Sequence, residues 1–594
     1  MSARPRAKVF RRALAGLSGL AVSNGLWGVL GAGGAYAHAA TITIESSDVA
    51  GQGFNDPTPV TPVGGNPGTT VGDQRLNVFK TAAQLWGDAL ESAPAIVVTA
   101  SFAPLACGAN QIMLGHATAT STRRNSVGSP RDTWVSVALA NALAGTDLNG
   151  AEAEIRATFN GGLASCSMGL QDWYYGLDGA AGDNIDLLSV VLHELGHGLG
   201  FASVINPGDG LAPSGFLDAF TQHVYDNATD TAWSDMTAAE RVTSAMNVRH
   251  LVWTGENVAR QAAQILALGS PTMATTPALA GLAGNVSESD FGPLVATKPV
   301  SGPLKLGTIA PASCKVTSNL MGAIALFTQS DVCAPVQLAF NAQKAGALGV
   351  LMMDPLGADP PDTTGVLPSL QNYGPVTIPV IAVSSNDAQV FAAAAAGTTV
   401  SLAAVTTQRV GADPMGRAAL YASNPVQSAS TLSHWDPLAR PDLLMEPQIA
   451  TKAPHDQRME LAVFRDIGWR TVCGNGSIDP GEECDLGPEN GAPGAACNAD
   501  CTNGPAGAGG GTAGAGGGPA GAGGAGEAGA GGGAAAPPET TTGGGGCQCD
   551  LPRCSGGRLP AESLMVLVAA ALVVRRGQRP GRRRKSSRPA NPAP

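Results

Sequence analysis

Leu188, Val191, Leu192, Leu195 and Leu199 recur at the three- and four-residue steps of a helix and predict one with a buried face. Asp183 or Asn184 is placed to cap its start, since a short side-chain oxygen accepts from the first free N–H groups. Leu76, Phe79, Ala83, Trp86 and Leu90 keep the same rhythm and predict an earlier helix. Positions 95–102 are β-rich, and 112–114 and 157–159 are candidate strands. The strand near 153–160 is expected at a sheet edge, where unpaired N–H and C=O groups can hold an extended peptide.

Farther along, 204–290 reads as a mainly helical connecting region, with a helix over 238–246. From 291 to 405, short apolar runs alternate with alanine-rich helical stretches: strands at 322–327, 348–353 and 378–383, and a helix over 337–347. Positions 461–469 look like a closing helix. Residues 503–546 are almost all Gly and Ala; they cannot bury a core and predict a disordered linker.

The first helix named carries chemistry. His193-Glu194-Leu195-Gly196-His197 puts two imidazoles one turn apart on one face, so both can reach a single ion. Neutral imidazole suits Zn²⁺, which in catalytic sites takes three protein ligands and keeps a fourth position open. Glu194 is rotated about 100° from His193, away from the metal and toward a bound water, as a general base. Gly196, Gly198 and Gly200 each cost a helix roughly 0.5–1 kcal/mol relative to Ala. Three together imply close packing and a forced turn.

In the compact spacing HExxHxxGxxH the third ligand would fall on Ser203, which is no substitute for imidazole. His223, His250, His434 and His455 remain downstream, with Asp218 or Glu240 as carboxylate options. The segment Ser433-His434-Trp435-Asp436, followed by Leu443-Leu444-Met445-Glu446-Pro447, resembles leishmanolysin-family metalloproteases. There a long insertion separates the third histidine from the first two, and a Met-turn follows. The resemblance implies His193, His197 and His434 as zinc ligands, Glu194 as catalytic base and Met445 as the Met-turn residue. It implies an α+β, zincin-like (metzincin) catalytic domain in two parts, 41–203 and 424–470, acting on protein or peptide substrates.

The stretch 291–405, with Asn341-Ala342-Gln343, Ala345-Gly346-Ala347 and Ile378-Pro379-Val380-Ile381, resembles a protease-associated domain inserted between those parts. Residues 473–502 look like a cysteine-rich repeat of myxobacterial surface proteins. Asp479, Glu482, Glu483 and Asp485 there are possible Ca²⁺ ligands, though acids in a small disulfide knot are more often only solvated. Positions 547–594 resemble a myxobacterial C-terminal sorting tag, with an apolar run of 11 residues at 564–574. That is short of the ~20 needed to span a bilayer, so surface or membrane attachment rests on the resemblance.

Charge and cysteines set the compartment. Net charge is −11, yet 13 of the 35 basic residues lie in the two tails, leaving 22 against 46 acids between them. So acidic a body excludes nucleic-acid binding, which needs a basic footprint. A basic start, an apolar run over 13–29 and small residues at 35–39 predict a signal peptide over 1–39 and an exported or surface-attached protein. The eleven cysteines cluster locally, as expected in an oxidising compartment. Cys107 is expected to pair with Cys166 and Cys314 with Cys333; the cluster at 473–501 favours disulfides over a second zinc site.

The function expected is a secreted or cell-surface zinc metalloendopeptidase. A non-catalytic adhesion protein on the same scaffold is the alternative, and a zinc hydrolase of cell-wall peptides a third reading.

Overall fold

The computed structural model describes residues 39–106, 112–163, 172–182, 184–289, 291–310, 313–328, 333, 335–353, 374–394, 396–427, 430–448, 455–472, 484–485, 490, 495–498, 501, 539–542 and 569–572. The signal peptide (apart from position 39), the Cys107–Cys166 pair, and most of the glycine-rich linker and C-terminal tag lie outside these residues.

Helices and sheets are both present. The first sheet contains β1 (Ile42–Ser46), β2 (Ile96–Ala103), β3 (Ile112–Ala119) and β6 (Ile155–Asn160) in the order β1-β2-β6-β3. β1, β2 and β6 run parallel, and β3 antiparallel to β6. Sequence reasoning placed the strand near 153–160 at an edge; instead β6 lies between β2 and β3, its backbone groups taken on both sides. β3 is the outermost long strand, and its outer side carries the short strand Ala569–Leu572.

Two helices, α1 (Val71–Ala89) and α3 (Leu187–Leu199), pack with this sheet. Phe79, Ala83, Trp86 and Leu90 are buried as their spacing predicts, and Phe79, Trp86 and Leu90 share a core with Leu188, Val191, Leu192, Leu195 and Leu199. The later helix Arg458–Ile467 adds Ala462, Val463 and Phe464 to that core. Thus residues on both sides of the insertion build one hydrophobic interior.

A second, seven-stranded sheet runs in the order Leu268–Thr276, Thr399–Arg409, Val300–Leu306, Ile324–Phe327, Gly349–Met353, Val380–Val383, Val286–Glu288. The strands from Val300–Leu306 to Val380–Val383 are parallel to their neighbours, with antiparallel strands outside them. Apolar clusters lie on its two faces, one including Leu338 and Ala342 of the helix Pro335–Lys344, the other Ala388 and Phe391 of the helix Ser385–Ala394. Leu268–Thr276 and Val286–Glu288 belong to this sheet although they fall in the stretch expected to be helical. Leu268–Thr276 is interrupted by Gly269 and Pro271 and Val286–Glu288 is three residues long, so neither shows the unbroken apolar run of the inner strands. Cys314 and Cys333 form the expected disulfide. Cys484 pairs with Cys497 and Cys501 is also disulfide-bonded, as the disulfide reading of that cluster required.

Candidate metal centre

The residue that starts α3 is Asp186, whose carboxylate accepts from the N–H groups of Leu188 (2.9 Å) and Ser189 (3.4 Å). Of the two expected caps, Asn184 comes too early and Asp183 lies outside the described residues. Ile185 and Asp186 pair in parallel with Trp173 and Tyr174, which keeps the chain extended up to Asp186. A cap must sit where extended backbone gives way to helix, and that point is Asp186.

The three glycines do what their cost implied. A Cβ on Gly196 would stand 2.9 Å from the Met445 sulfur, and one on Gly198 would stand 2.4 Å from a methyl carbon of Ile155. Gly200 ends the helix at φ +127°, a region that favours glycine, and Phe201 N–H then donates back to the Gly196 carbonyl at 3.0 Å. The chain turns away sharply and leaves His197 at the helix's last turn.

His193, His197 and His434 converge. All are essentially buried, and their ligand atoms lie within 4.8 Å of one another, a grouping of three such side chains among the described residues. His193 and His197 approach through their Nε2 atoms at 3.1 Å. The His434 ring centroid is 5.2 Å from that of His193 and 4.8 Å from that of His197. Each Nδ1 faces a backbone carbonyl: His193 that of Leu444 (2.7 Å), His197 that of Phe201 (2.8 Å), His434 that of Ser430 (2.9 Å). A carbonyl only accepts, so each Nδ1 carries the proton and each Nε2 presents a lone pair to the shared centre. Nε2 of His434 is buried without a hydrogen-bond partner.

Burial disfavours imidazolium, pushing His193 down to about 4 and His434 down to about 3, and His197 well below its ordinary range. Three neutral imidazoles in a dry pocket are a donor set for a borderline-soft cation. Two nitrogens held tetrahedrally about 2.0–2.1 Å from zinc stand about 3.3 Å apart, close to the 3.1 Å between the first two histidines. The residues fit the metal.

The other candidates are engaged elsewhere. Nε2 of His223 meets the Asp466 carbonyl at 2.9 Å, His250 meets the Asn227 side chain at 2.6 Å, and His455 meets Asp186 at 3.1 Å. The Asp218 carboxylate accepts from Thr221 and Val204, while Glu240 closes the capping box of an exposed helix start. The Ser203 hydroxyl lies 2.6 Å from that of Thr221. Tyr174 donates to Asp178 and Tyr175 lies against Arg75, so neither tyrosine is tied to the cluster.

Glu194 is fully buried on α3, and a Cβ on Gly115 of β3 would touch its Cγ at 3.4 Å. Beside His197 opens a cavity of about 60 Å³ lined by Ala119, Trp134, Leu139, Asp218 and Phe220 among others. Met445 is buried beneath Gly196, and its carbonyl accepts from Trp435 N–H at 2.8 Å. Sequence reasoning missed Glu460. This buried carboxyl accepts from the Trp435 indole at 3.0 Å and from Met445 N–H at 3.3 Å, tying both ends of the His434–Met445 loop to the helix Arg458–Ile467. Burial pushes it up to about 7. Its signal in the sequence is that Val463, Phe464 and Ile467, three, four and seven positions on, share its helix face and are apolar.

Comparison with known proteins identifies the insertion: residues 291–391 match the PA domain family. No curated protein sequence matches the chain. Among solved structures, a zinc aminopeptidase from Bacillus subtilis is 17% identical, over 26% of this chain and 37% of its own, with a TM-score of 0.17. The subtilisin-like protease Apa1 from Pseudoalteromonas sp. AS-11 is 15% identical, over 28% and 37%, also at 0.17. An aminopeptidase from Aneurinibacillus sp. strain AM-1 is 12% identical, over 25% and 44%, at 0.15. The chain thus spans less than half the length of each, and likenesses this slight have no bearing on its activity. The chain carries a PA domain, a module of protease-associated function, between the two segments that supply its histidine cluster.

Proposed function

We propose that this protein is a zinc-dependent metalloendopeptidase, a leishmanolysin-like metzincin interrupted by its PA domain, exported and held at the cell surface. The supporting observation is the convergence of three buried, neutral imidazoles, with protons fixed on Nδ1 and lone pairs turned inward, one of them lacking any other partner.

His193, His197 and His434 would hold the ion. Bound zinc supplies Lewis acidity toward a peptide carbonyl and makes a water acidic enough to attack near neutral pH. Glu194, next to His193 yet turned off the ligand face, takes the proton of the attacking water and returns it to the leaving amine. The carbonyls of Leu444, Phe201 and Ser430 keep the rings oriented, as outer-shell partners do in metal sites.

The test is digestion of casein or gelatin by the purified protein, with and without a chelator. Cleavage that stops with the chelator and returns with zinc supports the assignment. A folded, zinc-loaded protein that cleaves neither those substrates nor a peptide library is instead the non-catalytic binding protein.

A further inference from the structure

Two arginines join the seven-stranded sheet to the loop that carries His434. Arg249 directs its guanidinium at the outermost strand of that sheet, donating to the Val286 carbonyl at 2.6 Å and to the Ser287 hydroxyl at 2.8 Å. The same guanidinium lies 3.5 Å from the carboxylate of Asp436, two residues after His434. Asp436 is 1% exposed and the Arg249 side chain 14%, so the bridge is shielded from solvent. On the far side of the loop Arg440 donates to the Glu288 carbonyl at 3.1 Å and to Asp442 at 2.8 Å.

The backbone around Arg249 is built for this contact. Arg249 sits at φ +62°, a conformation a non-glycine residue keeps only when its surroundings hold it there. The strand Leu251–Trp253 follows directly, and its Leu251 carbonyl accepts from Leu420 N–H at 2.9 Å. Ala419 in turn accepts from Asp436 N–H, and Tyr421 N–H donates to the His434 carbonyl. From Ser287 to His434 there is thus an unbroken path of hydrogen bonds and one ion pair. None of these groups touches the three imidazoles through its side chain.

We propose that Arg249 is a positioning residue through which the insertion sets the third imidazole, so that metal affinity depends on the Val286–Glu288 strand. The proposal rests on the metal reading of the cluster. Buried charge pairs are costly to break from one side, because the partner is left uncompensated, and that cost falls on the loop bearing His434. The metal then senses the sheet.

The test is zinc affinity by competition with a chelating dye, together with the melting temperature of the metal-free protein. Arg249→Ala is expected to weaken zinc about tenfold, in the range found when outer-shell partners of metal ligands are removed. Ser287→Ala, far from the cluster in sequence and outside the metal loop, is expected to weaken it two- to fivefold. The double variant should be no weaker than Arg249→Ala alone, since both changes cut one path. Lys305→Ala, a half-buried side chain of the same sheet whose ammonium donates to the Asn319 carbonyl, serves as a control with unchanged affinity. An Arg249→Ala protein that melts earlier yet holds zinc within twofold of the wild type overturns the proposal, leaving Arg249 a merely structural contact. Should that variant fail to fold, Arg249→Lys and Ser287→Ala decide: unchanged affinity in both overturns it equally. A wild-type protein that holds no zinc overturns the metal reading itself, a separate and recognisable failure.

Discussion

Replacing Gly198 by alanine sets two effects against each other in the last turn of α3. Helix propensity alone favours alanine by about 1 kcal/mol. Packing opposes it: the new Cβ would lie 2.4 Å from one carbon of Ile155 and 2.9 Å from two more, and Ile155 is fully buried in β6. Ordinary contact begins about 1 Å farther out, and a β-branched side chain with no exposed surface has little room to swing away. Overpacking of this kind costs about 1–3 kcal/mol, and the 2.4 Å approach places this case toward the upper end. The balance is a net loss of about 1–2 kcal/mol, which in a domain of 150–250 residues lowers the melting temperature by about 2–8 °C. Differential scanning calorimetry of Gly198→Ala against the wild type reads this directly. Adding Ile155→Ala removes all three clashing carbons, so the double variant should lose less than the sum of the singles. An alanine variant that melts at or above the wild type would refute the close approach of α3 to β6 and with it the reason for a glycine there.

Other expectations concern the centre itself. His434→Ala should lose bound zinc in a metal assay, while His250→Ala and His455→Ala keep it; full zinc in the His434 variant would move the third ligand elsewhere. Glu194→Gln should retain metal yet lose at least about a hundredfold in turnover, the usual share of a general base, and a variant that still cleaves casein normally removes Glu194 from that role. Glu460 gives a pH signature. Its folded-state value near 7 stands above the ordinary 4.5, so the stability linked to its proton is whole below about 4.5 and is lost as pH rises through 7. The amount is on the order of 3 kcal/mol. Glu460→Gln keeps an acceptor for Trp435 and Met445 but has no proton to lose, so its melting temperature should vary less between pH 5 and pH 8; a slope equal to that of the wild type counts against the burial argument.

What could be read from the chain beforehand follows the range of each interaction. Local features were legible. The i, i+4 histidines and the leucine face of α3 act within a few residues of themselves, and the glycines showed locally as a cost to the helix, though not that Met445 and Ile155 are what they admit. The strands and helices of the insertion were legible from their own apolar runs, and the resemblance around Asn341-Ala342-Gln343 and Ile378-Pro379-Val380-Ile381 made them a PA domain. Position within a sheet was not, since an alternating pattern looks the same in a central strand and an edge strand, and β6 was misplaced for that reason. Asp186 was passed over as a cap because its extended geometry comes from pairing with Trp173 and Tyr174, a contact no helical pattern contains. Spacing alone left six candidates to stand beside His193 and His197, and only the resemblance around Trp435 singled out His434. Arg249 gave no signal and Glu460 only its place on an apolar helix face, because their partners lie 187 and 25 residues away, at Asp436 and Trp435.

The third imidazole stands 241 positions after the first, with the whole seven-stranded sheet between them. During synthesis the two early rings emerge first. At about 5–20 residues per second the third arrives roughly 10–50 s later. A nascent or truncated chain ending anywhere before His434 therefore holds an unfinished cage. Order of manufacture thus withholds the complete set of three imidazoles until position 434 has been made.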